Sequence, residues 1–260
     1  MRAATVISSD GTAIAVDVLG DGPPLVLLHG SVASADYWRE VMPALAERFS
    51  VHAVERRGRG RSPAANHTLA LEVQDTIAVL ESLPSPAHLL GHSWGGVVAL
   101  RAARLTDRID RLIVYEPPLP LSGPVVRDLD ALAEAHALGG AGDWDGALHA
   151  AIRSIGVPPE YHLDLAMSNT PISWERMVEV APSWLPELDE CVTLSTDPAD
   201  WSVPQPALIL VGTENSQRRM QRLLFTQPNA RMWSLPGQGH EAAITAPEVF
   251  STEVLRFLTA

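Results

Sequence analysis

The chain has 260 residues, 46% of them hydrophobic, enough to bury a sizeable core in one large α/β domain or two smaller ones. Its 31 acidic residues against 19 basic ones give a formal charge of −12, which disfavours nucleic acid and anionic membrane surfaces as partners through like-charge repulsion. All 19 basic residues are arginine, so no lysine nucleophile or Schiff base is possible, and the single Cys191 excludes an intrachain disulfide or a cysteine-based metal cluster.

The opening MRAATVISSDGT lacks an apolar stretch followed by a small-residue cleavage site, and no uninterrupted apolar run is long enough to span a bilayer. A soluble, cytoplasmic protein is expected. Residues 5–8 and 13–18 read as a hairpin turned at Asp10-Gly11, and Leu25 to Leu28 is an apolar run suited to a central strand buried on both faces. His29-Gly30-Ser31 follows it directly. A helix is expected near 36–48, then a strand from Val51 to Glu55. Next comes Glu55-Arg56-Arg57-Gly58-Arg59-Gly60-Arg61-Ser62, with four arginines within six residues. In an acidic chain this reads as a solvated turn with local ion pairs rather than a phosphate or nucleic-acid patch.

Leu69, Val73, Ile77 and Leu80 recur at three- and four-residue spacing, which predicts a helix over 68–83. The strand His88 to Leu90 runs into Gly91-His92-Ser93-Trp94-Gly95-Gly96, and a helix over 94–105 begins there. Ile109 to Tyr115 is a further strand, ending in Glu116-Pro117-Pro118. The rhythm then breaks. Residues 117–203 are rich in Pro and Trp, with short helical patterns around 127–138, 143–154 and 173–180, and read as an inserted helical cap. Alternation resumes with Ala207 to Val211, a helix near 217–225, Arg231 to Leu235, and a closing helix from Pro247 to Leu258. Strands separated by crossover helices imply an α/β fold with a mostly parallel, twisted eight-stranded sheet flanked by helices, its core drawn from 1–116 and 204–260.

A serine on a sharp strand-to-helix turn needs glycines beside it, because side chains there would collide with the neighbouring strand or helix. Ser93 is therefore the candidate nucleophile. A hydroxyl needs a base to take its proton, and Gly237-Gln238-Gly239-His240 offers one on the loop after the last strand, at the same sheet edge. The backbone N–H groups of Ser31 and Trp94 are the expected oxyanion donors. His29 and His92 are expected to brace their loops.

With these motifs in order, the chain resembles the α/β-hydrolase superfamily through His29-Gly30, the 55–62 segment, the turn at Ser93 and Gly237 to His240. Family members usually carry Asp where Glu55 stands, a change that keeps a carboxylate near the arginines. The family's triad aspartate usually sits where this chain has Asn215, and Asn cannot stabilise an imidazolium by charge. Two carboxylates can replace it. Glu116 follows the preceding strand, the arrangement some branches of the superfamily use, including certain haloalkane dehalogenases, and two prolines would fix its backbone; Glu214 lies on the later loop. Glu116 is favoured, with Glu214 as the alternative acid.

The expected substrate is a hydrophobic, uncharged carbonyl compound: an ester, lactone or thioester of small or medium size. Trp38 and Trp94 are candidates for the pocket floor, and Trp144, Trp174, Trp184, Met167 and Met177 for its walls. No metal or organic cofactor is expected. Competing readings are a perhydrolase, C–C hydrolase or biosynthetic cyclase or thioesterase of the same fold, and a non-catalytic ligand-binding protein on that scaffold.

Overall fold

The hairpin forms at the N-terminus from β1 (Arg2–Ile7) and β2 (Ala13–Leu19), closed by Gly11 at φ +86° and by Asp10, whose carboxylate accepts the N–H of Thr12 at 2.9 Å. β3 (Pro24–Leu28), β4 (Ser50–Val54), β5 (Ala87–His92), β6 (Ile109–Tyr115), β7 (Ala207–Gly212) and β8 (Ala230–Leu235) complete one sheet. The order is β1–β2–β4–β3–β5–β6–β7–β8, antiparallel at the hairpin and parallel from β4 onward. β3, β4 and β7 are buried at every position, as strands covered on both faces must be, whereas edge strand β8 alternates. The computed structural model describes residues 1–63, 66–157, 173–214 and 217–260. Met167 and Asn215 lie outside the described residues.

The first crossover departs from the expected single helix over 36–48. A 3₁₀ turn at Ala35–Trp38 comes first and α1 (Met42–Ala46) second. Pro43 sits in the first turn of α1, where its missing N–H costs nothing. α2 (Leu69–Glu81) starts at Thr68, whose hydroxyl accepts the N–H of Leu71 at 3.2 Å. α3 (Trp94–Ala103) follows Ser93 directly.

Between β6 and β7 stand α4 (Leu129–Gly140), α5 (Trp144–Ser154) and α6 (Trp174–Thr193), which pack against one another. Each begins on a side-chain cap: Asp128, Asp143 and Ser173 accept N–H groups three residues on. The helix expected over 173–180 runs thirteen residues further in α6, through Pro182 and Pro186. Proline removes a backbone donor and strains the preceding turn. Here a buried stripe of Met177, Ala181, Trp184, Leu185, Leu188 and Cys191 outweighs that cost. α7 (Gln217–Leu224), α8 (Ala242–Thr245) and α9 (Pro247–Leu258) close the chain. No helix among the described residues is long and apolar enough to cross a membrane.

The parallel strands end at one edge, so the segments after β3, β5, β6, β7 and β8 meet there. Register sets them side by side: Leu28 pairs with Gly91, His92 with Tyr115, and Gly212 with Leu235.

Candidate active site

Ser93 holds φ +52° and ψ −124°, a backbone conformation that L-residues rarely adopt. The turn is tight enough that a Cβ on Gly91 would fall 2.3 Å from the carbonyl oxygen of Gly95, and one on Gly95 would fall 2.4 Å from that of Leu28. Glycine is obligatory at both. The N–H of Ser93 donates to Tyr115 O at 2.9 Å, which ties the turn to the end of β6. Trp94 opens α3, so its N–H has no partner within the helix, and Ser93 and Trp94 both border the main cavity.

His240 and Glu116 are brought together. Nδ1 of His240 lies 2.7 Å from Oε2 of Glu116, while Oε1 accepts the N–H of Gly212 at 2.8 Å. Glu116 is buried and holds φ +49°. Burial opposes protonation of His240, but the hydrogen bond to Glu116 and the charges of Glu241 and Glu116 outweigh it and raise the imidazole above its ordinary pKa. The loop is pinned by Tyr115, whose hydroxyl donates to Gly239 O and accepts the N–H of Ala242, and by Nε2 of His92, 2.9 Å from His240 O. His92 is stacked between Tyr37 and Tyr115, so it acts as a brace, and burial holds it neutral. No hydrogen bond joins Ser93 Oγ to His240, and both residues border one cavity; catalytic hydrogen bonds often tighten only once substrate is bound. Glu214 is exposed: its N–H donates to Gln238 O at 3.1 Å, and it makes no ion pair with His240 among the described residues.

The arginine turn is not solvated. Arg56, Arg57 and Arg59 are at most 3% exposed. Arg57 pairs with Asp75 at 2.6 Å and Asp10 at 3.1 Å, Arg56 with Glu72 at 2.6 Å and with Glu187, and Arg59 with Glu187 at 2.7 Å. Glu72 and Asp75 come from α2, Asp10 from the β1–β2 turn and Glu187 from α6, far along the chain, and of the four arginines only Arg61 remains half-exposed. Burying a guanidinium is tolerable only with such partners. The cluster holds the loop that follows β3. Arg56 Nη1 donates to Gly30 O at 2.8 Å and Arg59 Nη2 to Ser31 O at 2.8 Å. His29 joins in, its Nε2 accepting the N–H of Arg56 at 3.2 Å and its Nδ1 donating to Gly30 O at 2.8 Å. Glu72 also accepts the indole N–H of Trp94 at 2.7 Å, so both candidate oxyanion residues are anchored in one buried ionic network. Glu55 keeps a carboxylate in the turn, where Oε1 accepts the N–H of Ala35 at 3.2 Å.

The cavity has a volume of about 840 Å³ between the strand ends and α6, with Val125, Arg127 and Ile155 from the segments flanking α4 and α5. Of the five tryptophans expected in the pocket, Trp94 and Trp184 border it, and Met177 lines it as well. Trp38 is fully buried in the core against Tyr37 and Phe250, because the 3₁₀ turn points it under the sheet edge. Trp144 packs on Gly139, and Trp174 donates to Asp145 Oδ1 at 2.7 Å and lies against His149, so both serve the packing of α4 to α6. Sequence reasoning missed Arg127 and Arg219 on the cavity wall. Each looks like an ordinary solvent-facing arginine in a polar stretch. Among the described residues, two groups have ligand atoms close enough for a cation, His92–His240–Glu241 and His67–Glu72–Glu187. In the first, Nδ1 of His240 and Nε2 of His92 are already bonded. In the second, Arg56 and Arg59 already neutralise the carboxylates.

Residues 25–253 match the alpha/beta hydrolase family. The crystal structure of an alpha/beta hydrolase from Sphaerobacter thermophilus superposes with a TM-score of 0.86 at 30% identity, covering 98% of this chain and 100% of that one. This chain belongs to the alpha/beta hydrolase family. A putative carbamate hydrolase, RutD of Caulobacter segnis, is a full-length relative, 28% identical over 91% of this hydrolase and 92% of its own length. The pimeloyl-[acyl-carrier protein] methyl ester esterase of Aeromonas hydrophila is 41% identical over 93 residues, and this hydrolase spans 35% of its length.

Proposed function

We propose that this alpha/beta hydrolase cleaves an ester, lactone or thioester of a small substrate through an acyl-enzyme on Ser93. The observation that carries the reading is the 2.7 Å contact between His240 and Glu116 on the wall of the cavity that Ser93 also borders. With Glu116 ionised, the proton of the neutral imidazole sits on Nδ1 and Nε2 is left as the base. Ser93 Oγ attacks the carbonyl carbon as its proton passes to Nε2. The amides of Ser31 and Trp94 hold the oxyanion, each contributing about 3 kcal/mol. The tetrahedral intermediate collapses and the leaving oxygen or sulfur takes the proton from Nε2. Water then loses a proton to Nε2, attacks the acyl carbon and releases the acid, restoring Ser93. Helices α4 to α6 act as a cap that excludes bulk water, with Met177, Trp184 and Leu188 facing the substrate's apolar part. A serine nucleophile favours acyl transfer over epoxide opening, which needs a carboxylate to form the alkyl-enzyme ester.

Covalent labelling tests this. A fluorophosphonate should label the wild-type protein once per chain and leave Ser93→Ala and His240→Ala unlabelled, with p-nitrophenyl ester turnover lost in parallel. Wild-type protein that neither labels nor hydrolyses any ester in a chain-length series would overturn the assignment.

A further inference from the structure

Among the described residues, the cavity wall carries two guanidinium groups with no carboxylate partner, Arg127 exposed and Arg219 half-buried. Arg127 enters just before α4 and Arg219 from α7, and both border the cavity shared by Ser93 and His240. Neither forms an ion pair among the described residues, in contrast to Arg56, Arg57 and Arg59. Nε of Arg219 is buried with no hydrogen-bond partner. A charged donor removed from water and left unpaired is expensive, so buried donors of this kind are rare without a reason. The two groups also lie close enough to oppose each other: burial, then the charge of Arg127, pull Arg219 below its ordinary pKa. Gly156, at φ +86°, makes room for this arrangement, since a Cβ there would sit 2.8 Å from Cδ of Arg127 and 3.0 Å from Nη1.

The carboxylates around the same cavity are otherwise engaged. Glu116 holds His240, Glu187 holds Arg56 and Arg59, and Glu241 lies within electrostatic reach of His240, whose pKa it helps raise. Glu214 is exposed and pairs with neither arginine. Two like charges facing one space are best satisfied by an anion placed between them, and the planar fork of arginine suits the paired oxygens of a carboxylate or phosphate.

We propose that Arg127 and Arg219 form an anion subsite, and that the substrate carries a carboxylate or phosphate remote from its scissile carbonyl. The uncharged substrate expected from the apolar cap residues gives way to one with an apolar middle and an anionic end. The inference rests on the serine-hydrolase reading only for where the scissile bond lies. Both arginines border the cavity that Ser93 and His240 also border, so the anion and the scissile carbonyl share one cavity.

The test compares p-nitrophenyl glutarate with p-nitrophenyl pentanoate, acyl chains of equal length with and without a terminal carboxylate. The wild-type protein should favour the glutarate ester by about tenfold or more in kcat/KM, chiefly through KM. Arg219→Met, and more fully the Arg127→Met/Arg219→Met pair, should lower that ratio by about tenfold or more, and Arg219→Lys should keep most of it. Circular dichroism and Tm establish that each variant is folded. Calorimetry with glutarate and with inorganic phosphate forms the second arm and needs no turnover. Tighter glutarate assigns a carboxylate substrate, tighter phosphate a phosphorylated one, and in either case binding must be lost in the double variant. An ester ratio of one or below in wild-type protein, a ratio unmoved by the folded double variant, or no binding of either anion would overturn the subsite. Failure of the hydrolase reading itself would look different: anion binding through the arginines, with no ester turnover and no fluorophosphonate label.

Discussion

Ser93 and Glu116 leave the sheet side by side with the same backbone distortion. His92 of β5 pairs with Tyr115 of β6, and the residues that follow them are the two non-glycine positions with positive φ among the described residues, +52° and +49°. Such conformations cost about 1–3 kcal/mol each and persist where the surroundings over-determine them. Gly accepts the geometry at Ser93 without that cost, whereas Ala does not. Ser93→Gly should therefore unfold at higher denaturant than Ser93→Ala, by about 1 kcal/mol in urea titration, although neither hydrolyses esters. Equal stabilities would mean that the turn stores no strain.

The bond between Glu116 and His240 predicts a pH profile. His240 must be neutral to accept the serine proton, and its pKa in the folded protein lies above the ordinary 6.5. Activity should thus be present above that raised value and lost as pH falls through it, so the acid limb of kcat/KM has its midpoint above 6.5. Glu116→Gln removes the charge and the acceptor that raise the imidazole; the midpoint should move down, and kcat should fall by about 10²–10⁴. Glu214→Gln should leave the midpoint in place. A midpoint that follows Glu214 instead would reassign the acid.

Eight strands, their parallel direction and the turn at Ser93 were legible because each depends on local features: apolar runs, glycine punctuation and strand-to-helix succession. Glu116 and Glu214 were both legible as candidates, and only the register that sets Gly212 beside Glu116 distinguishes them. The burial of Arg56 and Arg59 was not legible, since their partner Glu187 lies more than a hundred residues away on a helix whose two prolines argue against its full length. Trp38 misled for a related reason. Aromatic residues mark both cores and pockets, and only the 3₁₀ turn at Ala35–Trp38 decides which way the ring points.

Glu187 ties α6 to the loop after β3 that carries Ser31, the proposed oxyanion donor, so its loss should be felt in catalysis as well as stability. It neutralises Arg56 and Arg59, which hold the carbonyls of Gly30 and Ser31. Glu187→Gln leaves Arg56 with Glu72 alone and buried Arg59 without an ion pair, a loss in the range of about 3–5 kcal/mol for breaking a buried pair. In the proposed mechanism the amide of Ser31 acts on the oxyanion, which exists only beyond the ground state, so kcat should drop about tenfold or more with KM nearly unchanged. A variant that loses Tm but keeps kcat would make Glu187 a packing residue alone.

Acid should unfold this protein early because its buried histidines are held neutral. Burial, reinforced by the charge of Arg56, depresses His29; burial and the charge of His240 depress His92; and His67, beside Arg59, is brought down to about 4. In the unfolded chain these imidazoles take up protons near pH 6.5, while the folded protein does not. The unfolded state therefore binds more protons below that value, and each histidine removes stability at up to about 1.4 kcal/mol per pH unit as pH falls. Above pH 7 the three contributions are fully present. Urea unfolding at pH 7.5 and 5.0 should differ by several kcal/mol, and His67→Asn should reduce that difference. A stability flat across this interval would show that the three imidazoles are protonated in the folded protein.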